Sequence, residues 1–223
     1  MRALVTGGEG GIGRAIRSRL EAEGYEVASL DLATGFDVTD PAAWESVDAV
    51  DLACLNAGVL TGETDPRRLT DDQYRRAIAV NVDGVVFGVR RLARVMEDGG
   101  IVVTASLAGL TGMPSDVVYS LTKHALVGFV RSVAPLLDPL RINAVCPGIA
   151  DTPMIDHQRS ALEEAGFPLL RPDEVADAVW AAASSDATGE CWFVQPGREP
   201  APFRFANLPG PRRGGERVGR PPS

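Results

Sequence analysis

The feature that most constrains this chain is a glycine-rich loop between a short apolar run and a helical pattern. Ala3-Leu4-Val5 reads as a buried strand, and Thr6-Gly7-Gly8-Glu9-Gly10-Gly11-Ile12-Gly13 follows it directly. Ile12, Ala15, Ile16, Arg19 and Leu20 then recur at helical spacing until Gly24 stops the pattern. Small residues let the backbone turn tightly and let a phosphate approach the helix N-terminus. There, unpaired N–H groups and the helix dipole favour negative charge. A glycine turn without a ligand is the competing reading of the loop alone. Its position after a strand and before a helix favours a nucleotide site.

The alternation continues along the chain. Tyr25 to Leu30 reads as a second strand ending at Asp31. Asp40-Pro41 has the form of an N-cap with proline at the first helical position, so a short helix is expected through Trp44. Val50 to Leu55 is a third strand, ending at Asn56-Ala57-Gly58. A single long helix is expected over 71–96, closed by Gly99-Gly100. Ile101 to Thr104 is a strand, 115–134 a helix, and Arg141 to Val145 a strand running into Pro147-Gly148. A helix from Pro172 through Trp180 and a strand at Cys191 to Val194 complete the pattern. Strands alternating with helices predict an α/β fold: a Rossmann-type, doubly wound parallel sheet with helices on both faces, in three layers. The 223 residues suffice for one domain with a sizeable core and are short for two. Residues 1–195 are expected to form a single dinucleotide-binding and catalytic domain, with a substrate lid at about 153–170. Residues 196–223 read as a Pro/Gly/Arg-rich tail whose last dozen residues are expected to be disordered.

A net charge of −8 argues against a general nucleic-acid binder. Arg212, Arg213, Arg217 and Arg220 read as a solvated tail. No apolar run reaches the roughly 18 residues of a membrane helix, and the opening segment lacks the pattern of a signal peptide. Cys54, Cys146 and Cys191 are widely separated and have no metal-type spacing, so no metal is expected. They read as buried thiols of a reducing compartment, with a cytoplasmic location expected.

Two features bear on chemistry. Asp31 closes the second strand 18 positions after Gly13. A carboxylate there accepts hydrogen bonds from ribose hydroxyls and repels a 2′-phosphate, which selects NAD over NADP. Glu9 adds negative charge to the loop. Lys123 is the only lysine in the chain and stands four positions after Tyr119, so the two side chains share a helix face. A position kept as lysine in an arginine-dominated sequence suggests a need for a compact ammonium.

These residues resemble the short-chain dehydrogenase/reductase family, in its compact single-domain branch, from Ala3 to about Val194. Gly7, Gly11, Ile12 and Gly13 fit that branch's T-G-x-x-x-G-I-G pattern. Asn56-Ala57-Gly58 resembles its N-A-G motif beside the adenosine, and Asp37-Val38 the pair that meets the adenine ring. Asn81, Ser106, Tyr119 and Lys123 match its catalytic quartet, with Ser106 thirteen positions before Tyr119. Pro147-Gly148 with Thr152 resembles the segment that contacts the nicotinamide carboxamide. The resemblance breaks in two places. The segment between Asp37 and Asn56 is short, and Val194-Gln195-Pro196-Gly197-Arg198 stands where the family usually closes on a glycine pair after an aspartate.

The resemblance implies an NAD-dependent oxidoreductase acting on an alcohol or ketone. Tyr119 is expected to be the acid/base, with its pKa lowered by the Lys123 ammonium and the nicotinamide charge. Lys123 is also expected to hold the nicotinamide ribose. Ser106 is expected to fix the substrate oxygen, and Asn81 to hold a water relaying protons from Lys123 to solvent. Taken singly, each of the four has a structural reading: amphipathic helix residue, surface cation, turn former, satisfied amide. A non-catalytic NAD(H)-binding regulator on the same fold is the alternative, and a sugar-nucleotide epimerase a third reading for which the chain has little room. His124 faces away from Lys123 on the helix and reads as structural. His157 reads as a loop residue. Met154, Ile155, Leu162, Phe167 and Leu169 in the lid, with Leu107, Met113 and Val118, predict a largely apolar or mixed substrate. Arg159 or Arg171 is placed to receive an acidic group. The helices at 71–96 and 115–134 keep more apolar positions than one sheet face needs, and in the family the chain resembles such helices pair across subunits, so the resemblance implies a homodimer or homotetramer. Phe203 and Phe205 are expected to pack on a neighbouring subunit, over the site mouth, or on their own subunit.

Overall fold

The computed structural model describes residues 1–207, Pro209, and the backbone of two short strands, Arg212–Arg213 and Glu216–Arg217. Other residues of the arginine-rich end, and the side chains of Arg212, Arg213 and Arg217, lie outside the described residues. Six strands run parallel: β1 (Arg2–Thr6), β2 (Glu26–Leu30), β3 (Leu52–Leu55), β4 (Gly100–Thr104), β5 (Arg141–Pro147) and β6 (Cys191–Val194). With β7 (Ala201–Pro202), which pairs antiparallel to β6, they form a sheet of order β2-β1-β3-β4-β5-β6-β7. The chain therefore winds outward from β1 to β2, then reverses to β3. This places a topological switch between β1 and β3, where an α/β sheet opens a crevice at its strand carboxyl ends.

The central strands are apolar without alternation because both sheet faces are covered. One face packs on α1 (Gly11–Ala22) and α7 (Pro172–Ser184) through Ile16, Leu20, Val175 and Val179. The other packs on α2 (Pro41–Trp44), α4 (Gly84–Val95) and α5 (Val117–Val133) through Trp44, Val89, Leu92, Leu126 and Val130. Asp40 caps α2 by accepting from Ala42 N at 2.9 Å, with Pro41 beside it. Trp44 is fully buried, and its indole N–H donates to Val38 O at 3.0 Å. A Cβ on Gly88 would come within 2.7 Å of the Trp44 ring, so the bare glycine lets α4 lie directly on this tryptophan.

The helix expected over 71–96 is interrupted. It begins as α3 (Asp71–Ile78), with a reciprocal Thr70–Gln73 cap, widens to a π-helical turn at Ala79–Asp83, and resumes as α4. The extra residue falls around Asn81, which is wholly buried and spends its hydrogen bonds outside the helix. Apolar spacing does not register such a turn, because Val80, Val82 and Val85 keep the segment looking helical.

The sheet also runs past β6. Phe203 N donates to Cys191 O at 2.7 Å. The Phe203 and Phe205 rings meet edge to face at 5.0 Å, and the Arg131 guanidinium stacks 3.7 Å above Phe205. Within the chain, this aromatic stretch packs against α5 through Arg131. Among the described residues, no helix is long and apolar enough to cross a membrane.

Candidate active site

A cavity of about 990 Å³ opens along the carboxyl ends of the strands. At one end lies the glycine loop. Gly7 has φ +63°, and a Cβ there would lie 2.9 Å from Ala57 Cα. A Cβ on Gly13 would lie 2.0 Å from Gly7 O, and one on Gly11 would lie 2.7 Å from Thr152 Cγ2. These positions therefore require glycine. Gly10 caps α1 with no side-chain acceptor, and the first turn has no acidic residue. The leading N–H groups of α1, with Ile12 among them, have no intrahelical partner. A loop without side chains ending on an uncapped, uncharged helix start fits a dinucleotide pyrophosphate.

The walls around this loop are cross-braced. Thr6 Oγ1 accepts from Asn56 N at 2.8 Å and Ala57 N at 3.0 Å, while Asn56 Nδ2 donates to Thr6 O at 3.2 Å. Asp31 lines the cavity, accepting from Ala33 N at 3.0 Å and Glu9 N at 3.1 Å through different oxygens. Each oxygen keeps capacity for a further hydrogen bond. Asp37 accepts from both Thr39 donors through one oxygen, and buried Val38 packs against Gly84. Glu9 does not present a bare charge to the cavity, because Arg17 and the Ser29 hydroxyl both bind its Oε1.

At the other end, four further side chains gather around the end of β4. Ser106 follows that strand, accepts from Ala108 N at 3.1 Å, and donates to Pro147 O at 3.5 Å. Tyr119 and Lys123 project from α5. Lys123 is 3% exposed, and its Nζ donates to Thr104 O at 2.8 Å and lies 5.4 Å from the Tyr119 ring centroid. A Cβ on Gly58 would be 3.5 Å from both Lys123 Nζ and Asn81 Oδ1, so these groups border one small space. Asn81 clasps the loop after β3 by accepting from Val59 N at 2.8 Å and donating to Val59 O at 2.9 Å. Its second amide hydrogen goes to Thr122 Oγ1 at 3.0 Å. Both Asn81 donors are therefore engaged, and any water it holds must use a remaining acceptor position.

Burial pushes the Tyr119 hydroxyl up to about 12, partly offset by a hydrogen bond from Ser106 and reinforced by the Asp116 carboxylate and Cys146. Burial pulls Lys123 down to about 8. Desolvation acts on both groups, and the Lys123 ammonium donates to Thr104 O and lies over the phenol ring.

Pro147 ends β5, Gly148 follows it and donates from its N to Val194 O at 2.9 Å, and buried Thr152 packs on Gly11. The lid segment contains a short 3-10 turn, Pro153–Ile155, and α6 (Arg159–Glu164). Met154, Ile155, His157 and Phe167 line the cavity, whereas His124 bonds Ser120 O at 2.9 Å within its own helix. The two arginines placed to receive an acidic group are already engaged. Arg159 pairs with Asp151 and Asp156, and Arg171 with Asp173 and Glu174. Sequence reasoning missed Thr6, Asp116 and Gln195. Asp116 had a legible signal, an aspartate one residue before a helical run.

Residues 37–197 match the family model described as enoyl-(acyl carrier protein) reductase. The chain belongs to the short-chain dehydrogenase/reductase family. It is an oxidoreductase fold of that family, with a site for a nicotinamide cofactor and a small-molecule substrate. Among curated members, it is 31% identical to 2-(R)-hydroxypropyl-CoM dehydrogenase of Xanthobacter autotrophicus, over 83% of this chain and 92% of that one. It is 32% identical to L-2,3-butanediol dehydrogenase of Corynebacterium glutamicum, over 68% and 72% of the two chains. Among solved members of the family, a glucose/ribitol dehydrogenase from Brucella melitensis superposes with a TM-score of 0.78 at 27% identity, over 88% of this chain and 95% of that one.

Proposed function

We propose that this short-chain dehydrogenase/reductase transfers a hydride between NAD(H) and an alcohol or ketone, with Tyr119 as the acid/base. The observation that carries the reading is the chain's sole lysine, buried against Tyr119 with its Nζ on Thr104 O and the Ser106 hydroxyl nearby. A surface cation has no reason to occupy such a position. The cofactor supplies or accepts the hydride. Gly7, Gly11, Ile12 and Gly13 would hold its pyrophosphate, Asp31 the adenosine ribose, and Asp37, Val38, Asn56, Ala57 and Gly58 the adenine side. Tyr119 and Lys123 would meet the nicotinamide ribose, and Pro147, Gly148 and Thr152 its carboxamide end.

In ketone reduction, Ser106 hydrogen-bonds the substrate carbonyl oxygen and Tyr119 Oη delivers a proton to it. A phenol held near pKa 12 is fully protonated at neutral pH, which suits this direction. Lys123, held near 8, retains protons at neutral pH and can replenish Tyr119. Alcohol oxidation needs the phenolate and is favoured by higher pH. Asp31 selects NAD over NADP by repelling a 2′-phosphate.

The test is Tyr119→Phe, followed by NADH binding and turnover across a ketone panel. Binding is expected to persist while turnover is lost. A wild-type chain that binds NADH and turns over no carbonyl would defeat the reading. Asp31→Ala is expected to reduce the preference for NAD, and an NADP preference in the parent would overturn the role of Asp31. We further propose a cytoplasmic homodimer or homotetramer, checked by light scattering.

A further inference from the structure

We propose that Gln195 is a specificity-determining residue that hydrogen-bonds a second oxygen on the substrate, next to the reacting carbon. The preferred substrates are then α-hydroxy ketones, α-diketones and the vicinal diols related to them. The inference rests on the reading of Ser106 and Tyr119 given above. Gln195 stands in the segment where this chain departs from its family's usual ending, directly after β6. The bond from Gly148 N to Val194 O, 2.9 Å, holds the ends of β5 and β6 side by side beneath the cavity. A Cβ on Gly148 would lie 3.0 Å from Gln195 Oε1 and 3.4 Å from Leu107 Cδ1. The Gln195 amide thus lies on bare Gly148 backbone beside Leu107, at the cavity wall.

The neighbouring residue, Pro147, accepts at its carbonyl from Ser106 Oγ at 3.5 Å. α-Carbons joined by one trans peptide are ~3.8 Å apart. Ser106 and Gln195 are therefore placed against the two neighbouring residues Pro147 and Gly148, one on each. Among the described residues, the Gln195 amide has no protein hydrogen-bond partner, while its backbone carbonyl accepts from Arg198 N at 3.1 Å. The substrate-side wall otherwise carries Leu107, Met113, Met154, Ile155 and Phe167. A half-buried amide in such a wall is costly to leave unpaired once substrate excludes water. A primary amide both donates and accepts, so it serves a vicinal carbonyl and a vicinal hydroxyl alike.

The experiment compares kcat/KM for 2-hydroxyacetophenone and acetophenone with NADH, in the full chain and in Gln195→Leu and Gln195→Asn. The parent is expected to prefer the hydroxy ketone by about tenfold or more, the scale of one buried hydrogen bond. In Gln195→Leu that ratio is expected to fall at least about tenfold, with Gln195→Asn between. Unchanged thermal midpoints and an unchanged KM for NADH are expected alongside. A ratio that does not change, or a change confined to the KM for NADH, overturns the inference, the latter by making Gln195 a cofactor contact. Turnover of both ketones without preference overturns this inference alone. Turnover of neither overturns it together with the proposed function.

Discussion

Asp116 offers the most direct perturbation of the helix that carries Tyr119 and Lys123, because one buried carboxylate holds two backbones together. Its Oδ1 accepts from Tyr119 N at 2.9 Å, capping α5, and its Oδ2 accepts from Thr61 N at 2.8 Å in the loop after β3. It is 4% exposed. Asp116→Ala removes the cap, worth about 1 kcal/mol, and leaves the half-buried Thr61 N–H without its charged acceptor, worth about 1–2 kcal/mol. A loss of about 2–3 kcal/mol lowers the melting temperature by about 4–12 °C in a chain of this size. The helix start also carries Tyr119, so kcat is expected to fall about tenfold or more while NADH affinity holds, since small displacements of a reacting group are costly. Asp116→Asn keeps the cap but presents one amide N–H towards a backbone N–H, and is expected to fall between parent and alanine. Removing the carboxylate charge relieves one cause of the raised Tyr119 pKa. The alkaline limb of ketone reduction therefore moves to lower pH in both variants. The remaining groups facing Tyr119 are Lys123 on α5, Ser106 after β4 and Cys146 on β5, and they are unchanged. Calorimetry and pH-resolved initial rates decide the matter. An Asp116→Ala protein with the parent's melting temperature and pH profile would refute the reasoning.

Gly13→Ala forces a Cβ to within 2.0 Å of Gly7 O. NADH affinity by fluorescence titration is expected to weaken about tenfold or more, and parental affinity would show that the loop tolerates a side chain. Lys123→Met tests the cost of burying an ammonium. The folded pKa of about 8 lies below the ordinary 10.5, so this group's stabilising contribution is present above 10.5 and lost as pH falls through 8. Denaturation midpoints should show the methionine variant more stable at neutral pH, by up to on the order of 3 kcal/mol, with the pH slope between those values removed. Tyr119 acts oppositely: its raised pKa gives stability that is lost as pH climbs from 10 to about 12. Arg131→Ala removes the stack on Phe205, worth about 0.5–1 kcal/mol at an exposed site, and should speed proteolysis near residues 201–207.

The sheet and its order of elements were legible because buried strands and glycine stops leave strong local patterns. The glycine loop was legible for the same reason, and the spacing of Ser106, Tyr119 and Lys123 singled out residues that line one cavity, with Asn81 buried behind Gly58 near Lys123. What escaped was non-local. The π turn at Ala79–Asp83 preserves apolar spacing while shifting register. The bracing of Thr6 against Asn56 and Ala57 joins positions some fifty residues apart. The engagement of Arg159 and Arg171 by neighbouring carboxylates is a matter of rotamers, which a sequence does not display. The depth of burial around Tyr119 was not legible either, because a charge can be counted in a sequence, whereas the loss of water around it cannot.

Lys123 has one more consequence, for chemical labelling. Because it is the sole lysine and is 3% exposed, the outer surface carries no ε-amino group, whatever its arginine content. Reagents that acylate amines find only the α-amino group outside and Lys123 inside. Enzymes that modify lysine find no accessible target on the folded chain. The intact mass after mild acylation thus becomes a two-position readout, one for the terminus and one for the floor of the cleft. Occupancy of the cleft can be followed by mass alone, without a spectroscopic probe.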